Sequence, residues 1–260
     1  MTNPTPRNQR AVARLALACL DLTSLNDSDT EADIVRLCER AHGVHGPVAA
    51  VCVWPRFAAL ARKHAPTSVA VAAVANFPAG GDDIAAAVRD TRATVDAGAQ
   101  EVDVVLPYKR LQQRDEASVA ALLRAVRDAC HGLRLKVILE SGALDDTLTT
   151  RASQLSLDAG AEFLKTSTGK IPAGASLHAA GLMLDAIAAN PVAASRAGFK
   201  ASGGIRTVTD AAAYFDLVEQ KLGANALVPA RLRIGASSLL IDIEAVLGGA
   251  APSSTRADEY

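Results

Sequence analysis

The chain has 260 residues, half of them apolar and only 3% aromatic, with a formal net charge of −1. That length suits either two small domains or one α/β barrel, and the near-zero charge excludes the strong field that nucleic acid or an acidic membrane surface would call for. Cys19, Cys38, Cys52 and Cys130 are scattered, without a Cys-x-x-Cys pair or a nearby His at ligand spacing, which argues against a zinc site or a disulfide framework.

The N-terminal segment is polar and carries Arg7, Arg10 and Arg14, and the apolar run at 15–20 ends at Asp21, too short for a secretory signal. No run approaches the roughly 20 apolar residues of a membrane span, so a soluble cytoplasmic protein without nucleic-acid or membrane partners is expected. Short apolar, β-branched runs follow at 18–23, 48–54, 68–77, 101–107, 135–141, 162–166, 198–202 and 231–236, each succeeded by a stretch with helical spacing. Alternation of this kind predicts a parallel sheet, and eight strands close naturally into a single-domain (β/α)8 TIM barrel. The expected division is an N-terminal extension over 1–12, the barrel over 13–248 and a small, polar tail over 249–260.

Gly98, Gly160 and Gly223 are placed to end helices in the left-handed conformation, and Gly198 reads as a fourth helix end. Two of these neighbourhoods repeat: Asp96-Ala97-Gly98-Ala99-Gln100-Glu101-Val102-Asp103 parallels Asp158-Ala159-Gly160-Ala161-Glu162-Phe163-Leu164-Lys165. If the units are equivalent, Asp103 and Lys165 share a depth and a face on strands four and six, and opposite charges meet inside the barrel.

Charges inside strands are costly unless paired or used. Asp103 has Glu101 on its own face by the two-residue period, the fifth strand carries Lys136 and Glu140, and Lys165 and Lys200 occupy the sixth and seventh. Lys136 is expected to be solvated, at the N-terminal end of its strand on the barrel's stability face. Spacing alone leaves Lys165 open to a structural salt bridge or a catalytic role. It runs into Thr166-Ser167-Thr168-Gly169-Lys170, a hydroxyl-rich loop able to present backbone N–H groups to a phosphate, although the P-loop spacing is absent. Ala201-Ser202-Gly203-Gly204-Ile205-Arg206 and Gly235-Ala236-Ser237-Ser238 follow strands seven and eight, where barrels frequently build a phosphate site. Each loop alone is compatible with an ordinary tight turn; together they point to a phosphorylated substrate. A protonated Lys200 beside a buried Lys165 would favour an uncharged, nucleophilic Lys165, with Asp103 moving protons.

These residues resemble the deoxyribose-phosphate aldolase family across nearly the whole chain. The resemblance is carried by Leu20-Asp21-Leu22-Thr23, Asn76-Phe77-Pro78, Glu101-Val102-Asp103-Val104-Val105, the segment Phe163 to Lys170, Gly198 to Arg206, and Gly235-Ala236-Ser237-Ser238. The lysine segment is highly specific, whereas Asn-Phe-Pro and Gly-Ala-Ser-Ser are weak alone. The resemblance implies reversible cleavage of 2-deoxy-D-ribose 5-phosphate to acetaldehyde and D-glyceraldehyde 3-phosphate, with neither metal nor cofactor. It makes Lys165 the Schiff-base lysine, Lys200 its pKa-lowering partner and Asp103 the proton-transfer carboxylate. On the substrate side it implies Asp21, Thr23, Cys52, Thr168, Gly169, Lys170, Gly203, Gly204, Arg206, Ser237 and Ser238, together with a C-terminal Tyr260 that folds back to assist proton transfer. Partners are then a small phosphorylated sugar and acetaldehyde, in a homodimer or homotetramer. Ala201 departs from the pattern, which has Pro after the second lysine. Another Schiff-base barrel aldolase with a different donor, or a noncatalytic phosphosugar-binding barrel, are the alternatives; the five histidines lack the spacing a metal-dependent aldolase needs.

Overall fold

The computed structural model describes residues 8–250. Eight parallel strands, β1 (Leu20–Thr23), β2 (Ala50–Val53), β3 (Ala70–Ala75), β4 (Glu101–Val105), β5 (Arg134–Ile138), β6 (Phe163–Lys165), β7 (Gly198–Ser202) and β8 (Leu232–Ala236), pair in chain order, and β8 closes on β1 through Leu20↔Ile234. Around them run helices α1 (Gln9–Ala18), α2 (Glu31–Arg40), α3 (Ala58–His64), α4 (Ile84–Asp96), α5 (Tyr108–Gln112), α6 (Glu116–Ala129), α7 (Asp146–Asp158), α8 (Leu177–Ala189), α9 (Val208–Leu222) and α10 (Leu239–Leu247). The expected (β/α)8 barrel is therefore the architecture found. The expected boundary at residue 12 falls inside α1, which buries Val12, Ala13, Ala16 and Leu17 and packs on α9 and α10. Among the described residues, no helix is long and apolar enough to cross a membrane.

Strand alternation divides two different interiors. Outward residues such as Leu22, Val51, Val71, Val102, Val137, Leu164, Phe199 and Ile234 join the helix faces in one hydrophobic core. Inward residues fill the lumen in tiers contributed by alternate strands, and because the strands tilt, residues level with one another on alternate strands are offset by about two positions in the register. The ladders then place Ala50, Glu101, Phe163 and Arg233 lowest, Asp21, Ala72, Lys136 and Lys200 above them, and Cys52, Asp103, Lys165 and Gly235 above those. Where barrels ordinarily stack branched aliphatic side chains, this one stacks ions.

Gly98 and Gly160 take positive φ immediately after α4 and α7, as the repeat requires, so Asp103 and Lys165 arrive at one depth. Gly223 has positive φ but an extended ψ of 163°. Gly198 does not end a helix: it opens β7, and a Cβ there would lie 2.4 Å from the Phe163 ring, so the position is vacant of side chain to admit that ring.

Candidate active site

Asp103 is the hub of the lumen. Its Oδ2 accepts hydrogen bonds from Lys165 Nζ at 2.8 Å and Lys200 Nζ at 2.7 Å, and its Oδ1 accepts from Lys136 Nζ at 2.8 Å. Lys200 also reaches Asp21 Oδ2 at 2.5 Å, while Lys136 lies 2.6 Å from Glu101 and 3.2 Å from Asp21. Below, Arg233 bonds Asp21 at 2.6 Å and Glu101 at 2.8 Å, and its guanidinium and that of Arg134 lie against the Phe163 ring. Lys136 is thus wholly buried among three carboxylates, contrary to its expected place in solvent. The strand's solvent-reaching basic residue is instead Arg134, two positions earlier, which pairs with Glu101 from the rim at 2.5 Å.

Counting buried charge selects the nucleophile. Within the ion network around Asp103, Asp21, Glu101 and Asp103 are balanced by Lys136, Lys200 and Arg233, so a neutral Lys165 leaves that network neutral; Arg134 meets Glu101 from the exposed rim, and the buried Glu140 bonds Thr168 outside the network. Burial pushes the Lys165 amine below its ordinary range, against Asp103 and with the help of the Lys200 charge. Burial acts the same way on Lys200, but Asp103 and Asp21 overcome it and hold that ammonium above its ordinary range. Lys136 is likewise held up, against burial, by Asp103, Asp21 and Glu101. The carboxyl of Asp103, which burial alone would raise, is kept well below the usual carboxylate range by Lys136, Lys165 and Lys200. Two chemically identical amines on adjacent strands, opposite one another in the ladder as Lys165↔Lys200, are therefore driven apart.

Gly235 shares the tier of Lys165, and a Cβ there would lie 3.0 Å from Lys200 Cε and 2.8 Å from Ser202 Oγ; its bare backbone gives Lys200 its path to Asp103. On the other side, Cys52, Ala72, Val74 and Leu25 form a small apolar cluster separate from the main core, flanked by Trp54 and Phe77. Cys52 is fully buried, with Sγ 4.0 Å from Asp103 Oδ2 and its thiol pushed up by burial and by Asp103.

The C-terminal ends of β1, β6, β7 and β8 open a cleft of about 310 Å³ lined by Thr23, Thr168, Gly169, Lys170, Gly203, Gly204, Arg206, Ser237 and Ser238. Gly203 and Gly204 take φ of 96° and 85°, which glycine adopts freely. Ser237 and Ser238 are exposed at the start of α10, where free N–H groups favour an anion. Lys170 Nζ spans to the Leu25 carbonyl at 2.7 Å, linking the β6 and β1 loops. Asp21 is brought to Lys200 and Arg233 rather than to the cleft wall, and the Thr23 hydroxyl donates to the Asp21 carbonyl at 2.8 Å. Tyr260 lies outside the described residues. Ala201, buried in β7 opposite Ile234, keeps the strand regular where Pro was expected. Arg233 escaped the sequence reading, although it bears the signal that singled out Lys165, a charge flanked by apolar residues within a strand. Glu140, seen only as a strand charge, is wholly buried beside Thr168.

Residues 15–242 match the DeoC/LacD family of aldolases. The chain belongs to that family. It is 44% identical over 248 residues to the deoxyribose-phosphate aldolase of Agrobacterium fabrum, covering 94% of this chain and 95% of that one. Among solved structures it superposes on a tetrameric deoxyribose phosphate aldolase from Aeropyrum pernix with a TM-score of 0.70 at 26% identity, covering 94% and 98% of the two chains. A Toxoplasma gondii chain at 22% identity, covering 94% and 96%, gives a TM-score of 0.85, a likeness of fold.

Proposed function

We propose that this protein is a class I aldolase that reversibly cleaves 2-deoxy-D-ribose 5-phosphate to acetaldehyde and D-glyceraldehyde 3-phosphate through a Schiff base on Lys165. The observation that carries the assignment is the charge balance around Asp103, complete without a proton on Lys165, close in the chain to a cleft lined by Thr168, Gly203, Gly204, Ser237 and Ser238.

The neutral amine adds to the C1 aldehyde, and loss of water, assisted by a proton from the Lys200 ammonium, leaves an iminium whose positive charge faces Asp103 at hydrogen-bond distance. With Lys136 charged throughout and a second positive charge carried by either Lys200 or the iminium, Asp103 stays ionised and holds a proton only in transit. The iminium draws electrons as the C3 hydroxyl passes its proton through Asp103 back to the Lys200 amine and C2–C3 breaks, which releases glyceraldehyde 3-phosphate and leaves the enamine of acetaldehyde on Lys165. The restored Lys200 ammonium protonates C2, and addition of water to the iminium frees acetaldehyde and the neutral amine while one proton returns to Lys200. The apolar cluster of Cys52, Ala72, Val74 and Leu25 suits a two-carbon donor.

Incubating the protein with deoxyribose 5-phosphate and assaying acetaldehyde tests the proposal: release is expected, and its absence while another donor is cleaved would redirect the assignment within the Schiff-base aldolases. A cytoplasmic location and assembly as a homodimer or homotetramer belong to the same proposal, the latter checked by light scattering.

A further inference from the structure

Glu140 is a buried carboxyl outside the ion network and unused by the mechanism above. It follows β5 with φ 56° and ψ 53°, a left-handed conformation sparsely populated by residues other than glycine. The strand pairing continues on both sides of it, with Leu139 N–H donating to the Lys165 carbonyl and Ser141 N–H to the Thr166 carbonyl, each at 2.9 Å. The turn therefore serves to redirect one side chain. That side chain meets Thr168 twice: the Thr168 N–H donates to Oε1 at 3.2 Å and its hydroxyl to Oε2 at 2.5 Å. The Thr168 oxygen in turn accepts the Lys170 N–H at 3.0 Å.

This arrangement fixes the chemistry of Thr168, which lines the cleft. A hydroxyl has one proton and two acceptor lone pairs. Glu140 takes the proton and Lys170 N–H takes one lone pair, so Thr168 is left with a single acceptor position. It can receive a hydrogen bond from a ligand hydroxyl and cannot donate one.

We propose that Glu140 is a positioning residue that clamps the loop from Lys165 to Lys170 and holds Thr168 as a hydrogen-bond acceptor for a hydroxyl of the sugar phosphate. The proposal rests on the reading of the cleft as the substrate site. Burial pushes the Glu140 carboxyl above its ordinary range, and the two hydrogen bonds from Thr168 act against it.

The test compares Glu140→Gln, Thr168→Val, Thr168→Ser and the Glu140→Gln/Thr168→Val double variant in two reactions: cleavage of deoxyribose 5-phosphate, and borohydride trapping of acetaldehyde, which has no hydroxyl. In Glu140→Gln one acceptor oxygen remains, so either the Thr168 N–H loses its partner and the clamp is halved, or the amide NH2 donates to the Thr168 oxygen and frees the hydroxyl proton. Glu140→Gln and Thr168→Val are each expected to lower kcat/KM for cleavage by roughly ten- to hundredfold, as loss of a hydrogen bond to a charged or reacting group does, while trapping stays within about threefold of wild type. Thr168→Ser should retain activity, and the double variant should lose little beyond either single change. Equal losses in trapping and cleavage, unaltered cleavage in Glu140→Gln, or independent losses in the double variant would each overturn the role. A wild type that traps acetaldehyde yet leaves deoxyribose 5-phosphate uncleaved would instead overturn the substrate assignment, a result distinct from any ratio among the variants.

Discussion

Replacing Lys136 with Met probes the buried ions at the point where they are most tightly shared. Lys136 Nζ lies 2.6 Å from Glu101, 2.8 Å from Asp103 and 3.2 Å from Asp21, all buried. Its removal leaves the lumen one cation short, and breaking a buried pair in this way costs about 3–5 kcal/mol. For a domain of this size that corresponds to a fall in Tm of roughly 10 °C. Lys165 is the one amine left to supply the missing charge, so it becomes protonated and the catalytic cost follows: acetaldehyde trapping near neutral pH should slow by about tenfold or more and recover as the pH is raised. Lys165→Met should behave in the opposite way. It removes an amine whose proton is disfavoured and leaves Asp103 bonded to Lys136 and Lys200, so stability should change by less than about 1 kcal/mol while activity is abolished. Urea unfolding of the three proteins at one pH, together with trapping rates across pH, reads both effects. The reasoning fails if Lys136→Met is no less stable than Lys165→Met, or if its trapping profile coincides with that of wild type.

Acid should destabilise the fold in a defined window. The folded pKa values of Asp21, Glu101 and Asp103 are depressed, so their contribution is present above the unfolded values, near 4, and is lost as pH falls through the folded values. Urea unfolding should therefore show stability dropping steeply below about pH 4, and a flat response would contradict the burial of charged carboxylates. Ser238→Asp places a negative charge at the exposed start of α10 and should raise KM for deoxyribose 5-phosphate far more than for deoxyribose; equal losses would argue against a phosphate there. Because the iminium is the electron sink, exhaustive chelation should leave cleavage intact, and loss restored by zinc would reverse the class I assignment.

The barrel was legible because its periodicities are local. Alternating β-branched runs and the repeated Asp-Ala-Gly-Ala units locate the strands and set Asp103 and Lys165 at one depth. Lys136 was misplaced because strand position alone suggested the rim; its burial depends on Asp21 and Glu101, contributed by strands distant in sequence. Gly198 likewise reads as a helix end, and only the Phe163 ring from the neighbouring strand explains it. Glu140 carried no sequence signal for its turn, since left-handed backbone at a glutamate is imposed by the Thr168 contacts. Beyond the Asp103–Lys165 pair, the partners of Lys136 and Arg233 across the lumen, Asp21 and Glu101, are set by barrel tilt and register rather than by local pattern.

The central claim is that the lumen's charges leave Lys165 as the neutral nucleophile and Lys200 as the ammonium of the resting site. Borohydride reduction in the presence of acetaldehyde, followed by peptide mapping with mass spectrometry, tests it directly. One reduced two-carbon unit is expected on the peptide containing Lys165, and Lys165→Arg should abolish it, because a guanidinium stays protonated and is a poor nucleophile. Lys200→Leu removes the repulsive neighbour and should still be trapped at Lys165, more slowly and with improvement at higher pH. An adduct on Lys200, or trapping that survives Lys165→Arg, would contradict the assignment.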